Sequence, residues 1–304
     1  MKNKTLILGT KYHGELAQQI LGSSNADFKE LNFDIKNFLS IFGGYKNYFI
    51  IYVPTKFWLL LLLLLPIKVM RRKAHLEWIG SDVLSLKNRK SKHLVWLINN
   101  FAESYCECDW IQKELREYGV NASLGPYITF SSHLINHLTK NKTNFASNKL
   151  VCVTYATKGK EKLYGLTHVL DAAKQCDFIE LNVVGHDGEG VSSAGNVTFH
   201  GWVNKDELNE IYSTSEVFIR MTDHDGLSYS VLEALAGGMQ CVFSYKYPHT
   251  KKANDTEQLI AILNDFNCDK EKGISLYNND GHEFIASTFI EHKVGEANIR
   301  KLLS

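Results

Sequence analysis

Short apolar runs alternate with amphipathic stretches along nearly the whole chain, the pattern of an α/β protein built on parallel sheets. "KTLILGT", from Lys4, reads as a buried strand and runs into "KYHGELAQQILGS", where Leu16, Ile20 and Leu21 mark one helical face. "YFIIYVP" is a second buried strand. The run "FWLLLLLLLPI", residues 57 to 67, predicts a helix, and "AHLEWIGSDV" a strand and loop. "HLVWLINNFAESY" and "DWIQKELREYG" predict two more helices. "GVNASLGPYITF" then leaves regular structure, with Gly125-Pro126 as a turn.

A polar segment, "LTKNKTNFASNK" (138 to 149), separates this half from a second α/β series, and the domain boundary is expected there. "LVCVTYA" is a strand, "GLTHVLDAAKQ" an amphipathic helix, and "FIELNVVG" a strand ending in Gly185. "NVTFHGWV" is a short strand, and "KDELNEIYSTS" a helix with Leu208, Ile211 and Tyr212 on one face. "EVFIRMT" and "QCVFSY" are strands flanking "HDGLSYSVLEALAGG", a polar loop joined to a short helix. The tail from Gly281 to Ser304 has a helical pattern. In such sheets ligands collect beyond the carboxyl ends of the strands, and between two such domains the default site is the cleft.

At 304 residues the chain is long enough for two domains. Its charge is near balance overall but uneven: the first 130 or so residues carry about six excess positive charges, the remainder about five negative. Much of the excess lies between Lys68 and Lys92, directly after the leucine run. That run, about eleven apolar residues, is too short to span a bilayer. Either it is a helix buried in a domain core, or its apolar residues and neighbouring cations rest on an anionic membrane surface. Both hold if only one edge of the helix is exposed. Six cysteines without a Cys-x-x-Cys pair, and no secretory signal, point to a reducing cytoplasm. Basic residues cluster in one segment without a recognisable nucleic-acid motif, so no nucleic-acid partner is expected.

The candidate chemistry sits at strand-to-helix junctions. In "HDGLSYSVLEALAGG" an acid stands on each side of the junction, Asp225 in the loop and Glu233 more than a turn into the helix. Two such acids can bind a metal, act as an acid/base pair, or hold opposite ends of one ligand. Asp223, His224 and Asp225 are adjacent in sequence and so converge poorly on one ion. A helix starting near Ser228 attracts phosphate through its free N–H groups and dipole, and Gly226 lets backbone approach closely. An anion there disfavours both acids attending it directly, whereas sugar hydroxyls suit them. A nucleoside diphosphate sugar has hydroxyls at both ends and anions in the middle. The plainer reading is a solvated loop acid and a helix-surface glutamate. Cations for a diphosphate are offered by Lys158, Lys160 and Lys162 in "YATKGKEKLYG" and by Arg220 at the end of its strand. Ordinary solvated lysines, and an Arg220 paired with Asp223, are the alternatives. "GHDGE", beginning Gly185-His186, is a third loop at a strand end.

The segment "DGLSYSVLEALAGGMQCVFS" resembles the donor-binding segment of retaining GT-B glycosyltransferases of the family 4 type, E-G-x-[PS]-x-x-x-x-E-A-[ML]-A-x-G-x-P-V-[VI]. Gly226, Ser228, Glu233, Ala234, Leu235, Ala236, Gly238 and Val242 match. Asp225 replaces the first glutamate of the pair, and Gln240 the usual proline. The resemblance extends in order through "VTYATKGKEKLYGLTHVLDAA", "LNVVGHDGE" and "NVTFHGWVNKDELNEIYSTSEVFI", covering roughly residues 150 to 245. In the first half, "HLEWIGSDVL" is like a segment of some bacterial surface-polysaccharide glycosyltransferases.

That resemblance implies an α/β protein of GT-B fold, two Rossmann-like domains with parallel sheets facing across a cleft. The acceptor-side domain would be 1–140, the nucleotide-sugar domain 141–285, and 286–304 a helix crossing back. It implies a hexosyltransferase-type enzyme that needs no metal or other cofactor and retains anomeric configuration. Asp225 would meet the donor sugar hydroxyls and Glu233 the nucleotide ribose. The backbone of Gly226, Leu227 and Ser228 would meet the diphosphate, with Arg220, Lys158, Lys162, Gly185 and His186 around it. His13 and Asp82 are acceptor-side candidates, Asp82 against a turn-capping role. The acceptor would be a glycan or polyprenyl-diphosphate-linked glycan of a bacterial surface polysaccharide, O-antigen or capsule. The protein would then be cytoplasmic, touching the inner face of the membrane through residues 57–92. Asp225 is one methylene shorter than glutamate, and the family's basic-loop arginine has no clear counterpart. Those departures are the evidence for one rival reading, a non-catalytic subunit that binds nucleotide or glycan. A second rival is a sugar-nucleotide epimerase on the same fold, which would convert donor without an acceptor.

Overall fold

The computed structural model describes residues 4–31, 35–125 and 148–291. Their contacts divide them into two compact units, one drawn from Met1–Thr129 with Asp225–Leu227, the other from Phe130–His224 and Ser228–His292.

The first unit is a six-stranded parallel sheet. Its strands are β1 (Thr5–Gly9), β2 (Ala26–Glu30), β3 (Asn47–Ile51), β4 (Lys73–Trp78), β5 (Glu103–Cys106) and β6 (Ala122–Leu124), in the order β2-β1-β3-β4-β5-β6. β1 and β3 are buried along their whole length, which is why "LIL" and "YFII" read as unbroken apolar runs instead of alternating. The helices are α1 (Lys11–Leu21), α2 (Ile35–Ile41), α3 (Phe57–Val69), α4 (Ser81–Arg89), α5 (Lys92–Phe101) and α6 (Asp109–Glu117). α5 starts on a Ser91 hydroxyl that accepts the Leu94 N–H at 3.3 Å.

Three segments depart from the pattern-based expectation. "SDV" opens α4 rather than a loop, because the Asp82 carboxylate gathers the N–H groups of Ile79, Gly80 and Val83 into a turn that starts the helix. "ESYC", which extends the helical pattern of α5, forms β5: Ala102 is extended (φ −147°) and ends the helix. "ASL" forms the edge strand β6 beside β5. β2, α2 and the helix over 256–271 are elements the pattern did not single out.

The second unit repeats the plan. Its strands are β7 (Leu150–Tyr155), β8 (Ile179–Val184), β9 (Val197–Gly201), β10 (Val217–Arg220), β11 (Gln240–Phe243) and β12 (Lys251–Lys252), all parallel, ordered β12-β11-β10-β7-β8-β9. The helices are α7 (Leu166–Gln175), α8 (Lys205–Thr214), α9 (Tyr229–Ala236), α10 (Thr256–Glu271) and α11 (Asn279–Ile285), followed by a π-helical turn, Ala286–Glu291. One core joins Leu150, Cys152, Leu170, Leu181, Val217, Ile219, Leu259 and Leu263. α8 begins with a complete capping box between Asn204 and Glu207, and α10 on the Asp255 carboxylate. Buried Glu216 accepts both the Val151 N–H (3.1 Å) and the Lys270 ammonium (2.6 Å), tying α10 to the sheet.

Strand order reverses between β7 and β10, so a crevice is expected where their carboxyl ends meet. Pro126, most of the 138–149 segment and the tail beyond Glu291 lie outside the described residues. Of the helical tail expected from Gly281, the part of α11 to Ile285 and the π-helical turn fall within them.

Candidate functional site

The loops leaving β7 and β10 are stitched together at that reversal. The Thr222 hydroxyl lies 2.8 Å from the Leu163 carbonyl oxygen and 2.9 Å from that of His224, and the Asp223 N–H donates to the Leu163 carbonyl at 2.9 Å. Gly165, the N-cap of α7, sits at φ +61° with its Cα against the Met221 carbonyl, which any side chain would overlap. Only glycine fits both the backbone angle and the approach.

Arg220 ends β10 nearly buried, at 7 % exposure. Its guanidinium lies 4.6 Å from the Tyr164 ring centroid and 5.8 Å from that of Tyr155, while the two rings meet edge-on at 5.5 Å. The two aromatic faces hold the cation in place at the end of the strand. The exposed Trp202 ring stands 6.2 Å from Tyr155. Pattern reading missed Tyr155, Tyr164 and Trp202. The signal was present in "TYA", "LYG" and "HGWV": Tyr155 ends β7, Tyr164 stands two residues before α7, and Trp202 directly follows β9.

Ser228 occupies the N-cap position of α9 in extended conformation, and its carbonyl accepts the first helical bond from Leu232 at 3.1 Å. Its hydroxyl caps nothing; it lies 3.0 Å from the Ser230 hydroxyl. α9 buries Val231, Leu232, Ala234, Leu235 and Ala236. Glu233 is half-buried on the same helix, and its carboxylate makes no hydrogen bond among the described residues. Desolvation pushes its carboxyl up to about 7, opposed by the charge of Lys205. Asp225 is half-buried, and Gly226 and Leu227 are buried.

The basic loop is more engaged than its sequence suggests. The Lys158 ammonium pairs with Asp187 at 3.0 Å and with Glu189, both just beyond β8. His186 is buried; its Nδ1 accepts the Gly188 N–H at 2.9 Å, which puts the ring proton on Nε2, facing Glu161 at 3.0 Å. Glu161 also accepts the Gly159 N–H at 2.7 Å. Gly185, at φ +86°, packs against the Ala156 carbonyl and the Tyr155 ring. Lys162 is exposed. The structure thus gathers Arg220, Lys158, Gly185 and His186 around the ends of β7, β8 and β10.

The two first-unit candidates differ in kind. Asp82 is fully buried, with its four hydrogen bonds all from backbone: Val53, Ile79, Gly80 and Val83, at 2.9 to 3.2 Å. Burial lifts its carboxyl to about 6 against the pull of those donors. This is a carboxylate that builds a turn. His13 is half-buried after β1, its Nδ1 2.9 Å from the Thr10 hydroxyl, and desolvation lowers it to about 4. Among the described residues no three His, Cys, Asp or Glu side chains gather as metal ligands, and no helix is long and apolar enough to cross a membrane.

Solved structures share this fold over nearly the whole chain. HepE from Anabaena, determined with UDP and glucose, aligns with a TM-score of 0.72 at 13 % identity, covering 98 % of this chain and 99 % of its own. The fold is GT-B. Sucrose-phosphate synthase from Thermosynechococcus elongatus shares it with a TM-score of 0.71 at 12 % identity, covering 98 % of each chain. A glycosyltransferase from Rickettsia africae does so with a TM-score of 0.67 at 11 % identity, covering 99 % of this chain and 97 % of its own. Within the GT-B chain, residues 148–265 match the model of the family Glycosyl transferases group 1. That match contains Arg220, Asp225, Glu233 and the basic loop. No curated protein matches the chain in sequence.

Proposed function

We propose that the protein is a retaining glycosyltransferase that takes a sugar from a nucleotide-sugar and delivers it to a glycan or polyprenyl-diphosphate-linked acceptor, in the assembly of a bacterial surface polysaccharide. The observation that carries the reading is the junction itself. Arg220, held against Tyr155 and Tyr164, ends the strand that leads into this loop, and α9 carries Glu233, a half-buried carboxylate whose pKa is raised by desolvation against the charge of Lys205. The match to Glycosyl transferases group 1 over 148–265 supports it.

In this reading Glu233 accepts hydrogen bonds from the ribose, Asp225 from the donor sugar, and the N–H groups of Gly226, Leu227 and Ser228 face the diphosphate. The bond from the anomeric carbon to the β-phosphate oxygen breaks, and its electron pair leaves with the phosphate, stabilised by the helix start and Arg220. The acceptor oxygen forms the new bond on the same face and gives its proton to the departing phosphate. The protein supplies orientation and charge stabilisation; Lys158 reaches the diphosphate only by leaving Asp187 and Glu189.

Thermal-shift measurements with UDP-, GDP-, dTDP- and CMP-sugars test the donor site. One of them is expected to raise the melting temperature, since a ligand that binds only the folded state stabilises it by mass action. Donor turnover by the wild type, lost in Glu233→Ala, is expected to follow. Absence of any shift would sink the assignment. A shift without transfer or hydrolysis would favour a nucleotide-binding subunit, the reading that the engaged Lys158 and the shortened Asp225 support.

A further inference from the structure

Helix α3 is apolar all round, yet only half of it belongs to the core. Leu60, Leu63, Leu64 and Ile67 are completely buried. On the opposite side Trp58 (71 %), Leu62 (54 %), Leu65 (44 %) and Val69 (73 %) are exposed. Their spacing of four, three and four residues places them in one stripe, about 17 Å long. A fifth exposed apolar residue, Trp96, lies on α5 (58 %). The Lys68 ammonium donates to the Asn100 carbonyl at 3.2 Å, which holds the end of α3 beside the end of α5, one turn from Trp96.

Cations predominate around this stripe, with Glu103, at the start of β5 opposite His75, an exposed acid just past the end of α5. Lys56 precedes α3, Lys68, Arg71 and Lys73 follow its stripe, and Lys92 opens α5, all exposed. From Ile35 to Ala102 the sequence contains only two acids, Glu77 and Asp82, and both are buried. A contiguous apolar face is costly to leave in water, and a protein partner able to cover it would need to supply acids at several points around the rim. An anionic lipid surface supplies both terms at once. Tryptophan and leucine enter the headgroup boundary, and lysine and arginine pair with lipid phosphates.

We propose that the exposed stripe of α3, with Trp96 and its basic rim, is a membrane-docking face that holds the first unit on an anionic bilayer. The inference rests on the reading that the acceptor is lipid-linked, and it identifies the surface that would bring the enzyme to such an acceptor. α3 lies in the interface with its stripe down; it does not cross.

Co-sedimentation of the full chain with vesicles decides the matter. Binding is expected to vesicles of phosphatidylcholine with about a third phosphatidylglycerol, and not to phosphatidylcholine alone. Arg71→Glu with Lys73→Glu is expected to weaken it at least about tenfold, and added salt to weaken the wild type. Trp58→Ser with Leu62→Gln is expected to abolish binding while leaving the thermal melt unchanged, because both residues are exposed. Wild type left in the supernatant with anionic vesicles would overturn the proposal, as would full binding by the charge-reversed variant. So would a concentration-dependent dimer lost in Trp58→Ser, which would make the face a contact between copies. Nucleotide-sugar thermal shifts on the same samples separate the two readings. An intact shift without vesicle binding sinks only the docking face, and vesicle binding without any shift sinks only the donor site.

Discussion

Glu233 is the residue whose chemistry is easiest to interrogate. Its carboxyl is raised from an ordinary 4.5 to about 7 by desolvation, so folding favours its protonated form. The associated stability is fully present below about pH 4.5 and is lost as the pH rises toward 7. Glu233→Gln removes the buried charge. It is therefore expected to raise stability by about 1–3 kcal/mol near pH 8 and to change it little near pH 4, measured by melting across pH. The same substitution is expected to weaken nucleotide-sugar binding about ten- to a hundredfold, because a carboxylate accepts a ribose hydroxyl more strongly than an amide does. A residue that stabilises when removed but costs affinity is placed for a ligand. If Glu233→Gln leaves affinity untouched, it is a surface glutamate.

At the scale of elements, the second half of the chain was legible because each strand there ends in a loop with its own chemistry. Asp225, Gly226, Ser228 and Glu233 stand at fixed offsets, and β10 and α9 form where the alternation of apolar runs puts them. What stayed hidden is set by tertiary context. The lysines of "KGKEK" look equivalent as a string, yet only the fold brings Asp187 and Glu189 to Lys158. "ESYC" looks like the end of a helix until pairing with β4 makes it β5. For Asp82 the sequence offered an acceptor-side role with turn capping as the alternative, and the fourth donor of its turn, the Val53 N–H, comes from a distant segment. The tie between α10 and the sheet is similarly invisible in sequence, since Glu216 and Lys270 lie 54 residues apart. Lys270→Ala strands the Glu216 carboxylate with one backbone donor. The expected cost is about 2–4 kcal/mol in denaturant unfolding, with most of it recovered when Glu216→Gln is added. Simple additivity of the two substitutions would show the pair to be solvated.

At the scale of the whole molecule, each unit carries a sheet and a hydrophobic core of its own. Ile7, Phe49 and Ile51 pack with Ala17 and Leu21 in the first, and Cys152, Ile219 and Leu263 share a core in the second. The proposed docking face lies in the first unit and most of the donor site in the second. Ligands for the two are therefore expected to stabilise different parts of the chain. Scanning calorimetry without ligand is expected to resolve two transitions, because neither sheet pairs a strand of the other. At a nucleotide-sugar concentration about a hundredfold above its Kd, the transition of the second unit should gain about 2.7 kcal/mol while the first moves little. Anionic vesicles should act on the first. A single transition shifted as one by either ligand would mean that the units fold cooperatively. Donor binding and docking would then be thermodynamically linked, each altering the affinity of the other by the same factor.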